Sequence, residues 1–234
     1  MEKIKLKLSR RRIISLAIAI ITLVVIVTVL AIIFLEPAKK PNQLAVEGIN
    51  NTLTATSYYY TSQSTLHIGS ESQVYSNIEG YYAGNAHHAW GTILNSKVDV
   101  YQIENTLYIQ DSLTGSWQKI ENNDFETTAS LFAEINPTSN LQITEIGECT
   151  YDKKEKINGT NCQIIYCKPT LANEWIEEYF KDINYVLWVS CNNPRIMQAK
   201  ITGTTSYGNT SGTLEIIINF DEYGKDFKIT APIQ

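Results

Sequence analysis

The residues of this chain best suited to covalent chemistry are four cysteines, Cys149, Cys162, Cys167 and Cys191, all in its C-terminal half. Thiols either pair by oxidation or hold a soft metal as thiolates. Four cysteines allow three disulfide connectivities. Asn158-Gly159 has the composition of a two-residue hairpin turn. The register that turn sets puts Cys149 opposite Lys168, one step from Cys167, and a small bulge brings the two cysteines together. Cys162 is then left for Cys191, so the expected pairs are Cys149–Cys167 and Cys162–Cys191. A four-cysteine zinc site is the alternative, but the chain has no paired Cys-x-x-Cys knuckles. The histidines are His67, His87 and His88. His87 and His88, adjacent in a strand, point to opposite faces and cannot chelate one metal as a pair; all three are expected at the surface. No nucleophile elbow, phosphate-binding loop, His-Glu-x-x-His or dinucleotide fingerprint occurs. No enzyme activity, cofactor or metal is expected.

The elements that carry these residues follow a sharp division of charge. Of the 19 basic residues, six lie in residues 1–12 with one acid, a net +5; the remaining 13 basic and 23 acidic residues give −10. Between them, from Ile13 to Leu35, run 23 residues without a charge. A hydrocarbon core of about 30 Å needs roughly 20 apolar residues in a helix, so residues 13–35 are expected to form a transmembrane helix. A cleaved signal peptide would have a shorter apolar region and small residues at its end, whereas here Phe34-Leu35-Glu36-Pro37 follows. The flank Arg10-Arg11-Arg12 stays inside by the positive-inside rule. The expected organisation is a cytoplasmic basic tail (1–12), a single span (13–35), a linker (36–41) and an extracytoplasmic domain (42–234). The −10 charge of that domain disfavours nucleic acid as a partner.

Within the domain, Leu44, Ile49 and Leu53 predict an amphipathic helix over residues 42–55. Beyond Tyr58-Tyr59-Tyr60 the texture is that of strands, rich in Tyr, Thr, Ile and Val. Turn signals recur at Gly69-Ser70, Gly80, Gly84-Asn85, Asn95-Ser96, Glu104-Asn105, Thr114-Gly115, Asn158-Gly159, Asn192-Asn193-Pro194, Gly208-Asn209 and Gly224. That spacing predicts an antiparallel meander. Leu214, Ile216, Ile218 and Phe220 alternate with polar residues, a strand with one buried face. Two further helices are predicted, over residues 124–134 (Phe125, Leu131, Phe132) and 171–180 (Trp175, Tyr179). Glu174, Glu177 and Glu178 read as a solvated face of the second. The economical α+β arrangement is a single long curved antiparallel sheet, a half-barrel, with helices on its concave face.

Four segments resemble the LolA/LolB-like lipoprotein carriers and their LppX/LprG-type relatives. They are the helix running into a Tyr-rich strand (44–60), and Val98–Ile103 with Leu107-Tyr108-Ile109 and Gly115–Ile120. The others are the hairpin 157–165, and Val186-Leu187-Trp188-Val189 followed by residues 194–200. The resemblance implies an apolar cavity between sheet and helices that holds acyl chains. Phe125, Leu131, Phe132, Trp175, Tyr179 and Trp188 are its candidate liners. The function expected from it is a membrane-anchored extracytoplasmic module that binds a lipid or a lipidated partner, such as a lipoprotein. A structural or interaction module at the cell surface, binding no lipid, is the alternative.

Overall fold

A computed structural model of the chain describes residues 21–25, 39–121, 135–171, 180–207 and 210–233. The chain divides into two units, residues 1–39 and 40–234. In the first, residues 21–25 are helical; among the described residues no helix is long and apolar enough to cross a membrane. The rest of the expected span, residues 13–20 and 26–35, lies outside the described residues.

The second unit opens with helix α1, Pro41–Leu53. It begins inside the stretch expected as a linker, because proline suits the first helical position, where no backbone donor is needed. Gln43 Oε1 accepts the Lys40 backbone N–H at 3.2 Å. Thirteen strands follow: β1 Ser57–Ile68, β2 Glu71–Ala83, β3 Ala86–Ile93, β4 Ser96–Ile103, β5 Thr106–Gln110, β6 Trp117–Glu121, β7 Ile143–Glu145, β8 Cys149–Ile157, β9 Thr160–Cys167, β10 Thr170–Leu171, β11 Lys181–Ser190, β12 Ile196–Tyr207 and β13 Thr210–Asp221. A 3-10 turn covers Pro137–Leu141. The expected single long sheet is present. Eleven strands pair antiparallel in the order β6-β5-β4-β3-β2-β1-β13-β12-β11-β9-β8, and β7 pairs with β10 in a small second sheet.

The predicted turn at Gly208-Asn209 lies outside the described residues; the others hold with two exceptions. Gly80 is not a turn: it lies within β2, where a Cβ would meet the Tyr60 ring at 2.5 Å. The turn read at Asn95-Ser96 falls one residue earlier, at Leu94-Asn95, both with positive φ. The helix predicted over 124–134 lies outside the described residues, as does 172–179 of the one predicted over 171–180. Leu171, expected to start that helix, is in β10.

The core lies on one face of the sheet, here called the inner face. It gathers Tyr58, Tyr60, Ile78, Ala89, Val100 and Leu107 from β1 to β5, and Tyr185, Leu187, Val189, Ala199, Ile201, Ile218 and Phe220 from β11 to β13. The alternation predicted for β13 is realised there. Helix α1 seats on this face by Ala45, Gly48 and Ile49; a Cβ on Gly48 would meet Val189 Cγ1 at 2.8 Å, so only glycine permits the approach. Polar bonds fix it at both ends. Asn42 Nδ2 donates to Gly147 O at 2.6 Å, and Asn51 Nδ2 to Pro194 O at 2.7 Å. The buried Thr52 hydroxyl donates to Gly48 O at 2.8 Å and accepts from Ile196 N–H at 2.9 Å.

Gly91 in β3 has φ +148°, and a Cβ there would lie 2.1 Å from Asn77 O on the neighbouring strand. The atoms it would meet, on Asn77 and Ile78, are all backbone, so the clash cannot be relieved by a rotamer change. Gly91→Ala is expected to lower the unfolding free energy by about 2–3 kcal/mol, read as a reduced urea midpoint at unchanged m-value.

Candidate functional site

The inner face is the candidate site, and its character changes along the strands. At the α1 end it is bulky: Tyr58, Tyr60, Tyr185 and Phe220 are buried, Tyr58 edge-on to both Tyr60 and Phe220. Toward the other end the side chains shorten. Ser62, Ser64 and Ser76 are buried, and Ser64 is the register partner of both Ser76 and Ile216. Gly203 sits across the sheet from them, opposite Leu214, and a Cβ there would meet Phe180 at 3.2 Å. The floor is therefore made of small residues set among Ile78, Ile201, Ile216 and Ile218.

Tyrosine hydroxyls rise from the bulky end and hold the chain that crosses above it. Tyr60 Oη donates to Ile135 O, and Tyr185 Oη donates to Asn140 O at 2.5 Å. Tyr58 bonds Thr138. Asn136 Oδ1 accepts from Thr138 N–H at 3.2 Å and starts the 3-10 turn, whose Pro137 and Leu141 are buried. Burial raises all three tyrosines above the ordinary phenol value. All three stay neutral, and Tyr60 and Tyr185 keep the proton that their buried carbonyl partners require.

His87 completes this network and corrects an expectation. It is buried, 8% exposed, not at the surface, with Nε2 2.8 Å from Tyr60 Oη. Tyr60 spends its one proton on Ile135 O, so His87 Nε2 carries the N–H that Tyr60 accepts. Desolvation, with His88 nearby, lowers the His87 pKa to about 4. His88 faces the opposite side of β3, as the sequence required, and its Nε2 is 2.9 Å from Asp99 Oδ1.

Of the six candidate liners, Phe125, Leu131, Phe132, Trp175 and Tyr179 lie outside the described residues. Trp188 is described and does not line the inner face. It alternates with Leu187 and Val189, stands opposite Ile164, and its indole donates to Glu155 Oε2 at 3.1 Å on the outer face. A cleft of about 520 Å³ opens on the side of α1 turned from the sheet, lined by Asn42, Gln43, Val46, Glu47, Asn50 and Asn51. It is an open cleft on one side of α1, not the enclosed chamber between sheet and helices that the resemblance implies.

The outer face carries a row that the strand reading did not single out. Tyr59, Tyr81, His88, Tyr101 and Tyr108 are successive register partners across β1 to β5. His88 stacks on Tyr101 at 3.7 Å, Trp90 leans on His88 at 4.7 Å, and Phe227 of the C-terminal segment packs on Tyr81 at 4.7 Å. A ring on each of five successive predicted strands was the available signal. All four cysteines are free thiols, so neither expected bridge is formed in the structure. Cys149 and Cys167 are nonetheless register partners.

No protein-family model matches the chain, and no curated protein matches it. Solved structures do. The lipoprotein LppX of Mycobacterium tuberculosis superposes with a TM-score of 0.53 at 13% identity, covering 81% of this chain and 98% of that one. LprF of Mycobacterium bovis gives 0.50 at 12%, covering 84% and 98%. The domain shares the fold of LppX and LprF, the type of relative that the sequence resembles.

The His87 environment sets a pH dependence. The unfolded chain takes up a proton on this histidine near pH 6.5, while the folded one resists until about pH 4. Stability from this group is therefore intact above pH 6.5 and falls as the pH drops to 4, by at most about 3 kcal/mol. His87→Gln, which keeps a donor for Tyr60 but does not titrate, is expected to remove that part of the slope in urea unfolding measured from pH 7 to 4.

Proposed function

We propose that the chain is a membrane-anchored extracytoplasmic module that holds the acyl part of a lipid, or of a lipidated partner, over the inner face of its sheet. The observation that carries this reading is the floor of that face, where Ser62, Ser64 and Ser76 interrupt an otherwise apolar surface that includes Ile78, Ile201, Ile216 and Ile218. Short side chains on adjacent strands keep this floor low, and the surrounding aliphatic groups make it apolar. A sheet of eleven strands curls, giving a half-barrel whose concave side is this face. Each acyl CH₂ moved there from water contributes about 0.8 kcal/mol, so binding needs no precisely placed polar group. The likeness in fold to LppX, a lipoprotein, supports the reading. No covalent step is involved: the ligand enters and leaves unchanged.

The anchor is the uncharged run of residues 13–35, oriented by the basic residues before it. It keeps the module beside the bilayer from which the ligand comes. A tethered module hands its ligand to a neighbour and does not diffuse with it between membranes.

Two measurements test these statements separately. Organic extraction of the purified chain, followed by lipid mass spectrometry, is expected to release phospholipid or fatty acid in stoichiometric amount, and a fluorescent fatty acid is expected to bind saturably. Absence of both would leave the non-lipid interaction module as the better reading. Alkaline carbonate washing of membranes is expected to leave the chain in the pellet, with the C-terminal domain digested by protease added outside intact cells. Release into the supernatant would remove the anchor from the proposal without touching the binding face.

A further inference from the structure

Strand β9 carries Cys162 near its start and Cys167 at its end, an odd spacing that puts them on opposite faces. On the inner face Cys167 is the register partner of Cys149 in β8, and the two Sγ atoms are 2.6 Å apart. That match depends on a bulge. From Ile157 to Lys154 the pairing is regular, Ile157 with Thr160 and Lys154 with Gln163; continued unbroken, it would set Cys149 against Lys168. The register shifts between Tyr151 and Lys154, and Cys149 meets Cys167. On the outer face Cys162 is paired with Ser190, and the next residue, Cys191, donates its backbone N–H to Asn161 O at 2.9 Å. The Cys191 thiol is near enough for its charge to act on that of Cys162.

We infer that Cys149–Cys167 and Cys162–Cys191 are two disulfide-forming sites that bridge β9 at each end, to β8 and to the turn after β11. The supply of oxidant rests on the extracytoplasmic reading above. Each bridge forms by exchange with an oxidised dithiol, an oxidoreductase or oxidised glutathione. One protein thiolate attacks the oxidant's disulfide, the second protein thiol displaces the mixed disulfide, one S–S bond is made, and the oxidant leaves as two thiols that carry the two protons. Cys149 is the partly exposed member of the inner pair and the accessible point of entry, whereas Cys167 is buried. Burial pushes the Cys162 thiol up to about 11 and raises Cys167 as well. Such thiols ionise little near neutrality and attack slowly, which fits structural bridges and not a shuttling redox pair.

The bridges supply what the edge strand lacks. Residues 150–156 of β8 are exposed throughout, so burial contributes little to holding the strand. Two residues before Cys149, Gly147 O accepts from Asn42 of α1. A bond at Cys149 therefore secures both the sheet edge and the start of the helix over the inner face.

The test uses the full-length chain in detergent. After incubation in an oxidising glutathione buffer, free thiols are blocked with N-ethylmaleimide and the chain is digested without reductant. The expected result is an unlabelled chain, four hydrogens lighter than the reduced form, giving linked peptides for Cys149–Cys167 and Cys162–Cys191. Reduction is expected to speed amide exchange in β8 about tenfold or more. Four labelled cysteines after oxidation, or a peptide linking Cys149 to Cys162 or Cys191, would overturn the assignment. A parallel sample is blocked at the moment of lysis. Bridges found there support both the sites and the extracytoplasmic location; bridges formed in the buffer but absent at lysis support the sites and overturn the location.

Discussion

One connection constrains the whole domain: β6 and β8 are the two edges of the sheet, and the chain between them must travel its full width. Ten strand spacings amount to about 48 Å. Residues 135–141 of that crossing lie on the inner face, with Ile135 and Leu141 fully buried. A crossing chain buries carbonyl groups that no strand can satisfy, since the sheet's own backbone groups are already paired with one another. The donors must then come from side chains tall enough to reach up from the sheet. Tyr60 and Tyr185 are those side chains, and they meet Ile135 O and Asn140 O. The demand propagates downward. The Tyr60 ring lies where a side chain on residue 80 would be, which requires glycine there, and its hydroxyl oxygen needs a donor of its own, which His87 provides.

A second constraint is that β1 pairs with β13, joining the start of the domain to its end in the middle of the sheet. Neither half is complete without the other. Tyr58 and Tyr60 pack against Phe220 and Tyr223 only once that pairing is made. The Tyr223 hydroxyl then reaches Ile196 O at 2.6 Å, with the Arg195 guanidinium 5.0 Å from its ring, and Ser57 Oγ donates to Lys225 O at 2.6 Å. Contacts this distant in sequence make folding slow and cooperative, and they make the floor of the inner face a product of the whole domain.

The sequence carried most of the sheet because two-residue turns announce themselves. Gly69-Ser70, Gly84-Asn85, Glu104-Asn105 and Asn158-Gly159 all sit between paired strands. Gly80 misled for a physical reason: glycine marks either a chain reversal or the close approach of another group, and here a tyrosine ring made the demand. The Cys149–Cys167 match was legible once the hairpin register and a bulge were combined. The burial of His87 was not, since nothing local distinguishes a buried histidine from one in water; the hydroxyl it meets, on Tyr60, is 27 residues away in sequence. Trp188 was placed on the wrong face because a run apolar on both sides, Val186–Val189, offers no alternation to fix its register.

The two faces of this sheet solve different problems, and that difference favours the inner one as the proposed binding surface. On the outer face the aromatic rings spend their surface on each other. His88 stacks on Tyr101, Trp117 meets Tyr101 edge-on, and Phe227 covers Tyr81. Cross-strand pairs of this kind stabilise an exposed sheet face, and the ring surface they consume is no longer free for a guest. On the inner face the buried aromatic residues of β1, β11 and β13 gather at the end where α1 and the crossing chain already sit. Beyond them the side chains shrink to serine and glycine among isoleucines. A core selected for stability alone would place large aliphatic groups at Ser62, Ser64 and Ser76, because each added buried methylene favours folding. Keeping small residues there forgoes that stabilisation, and the lipid-holding role proposed above supplies a reason for it.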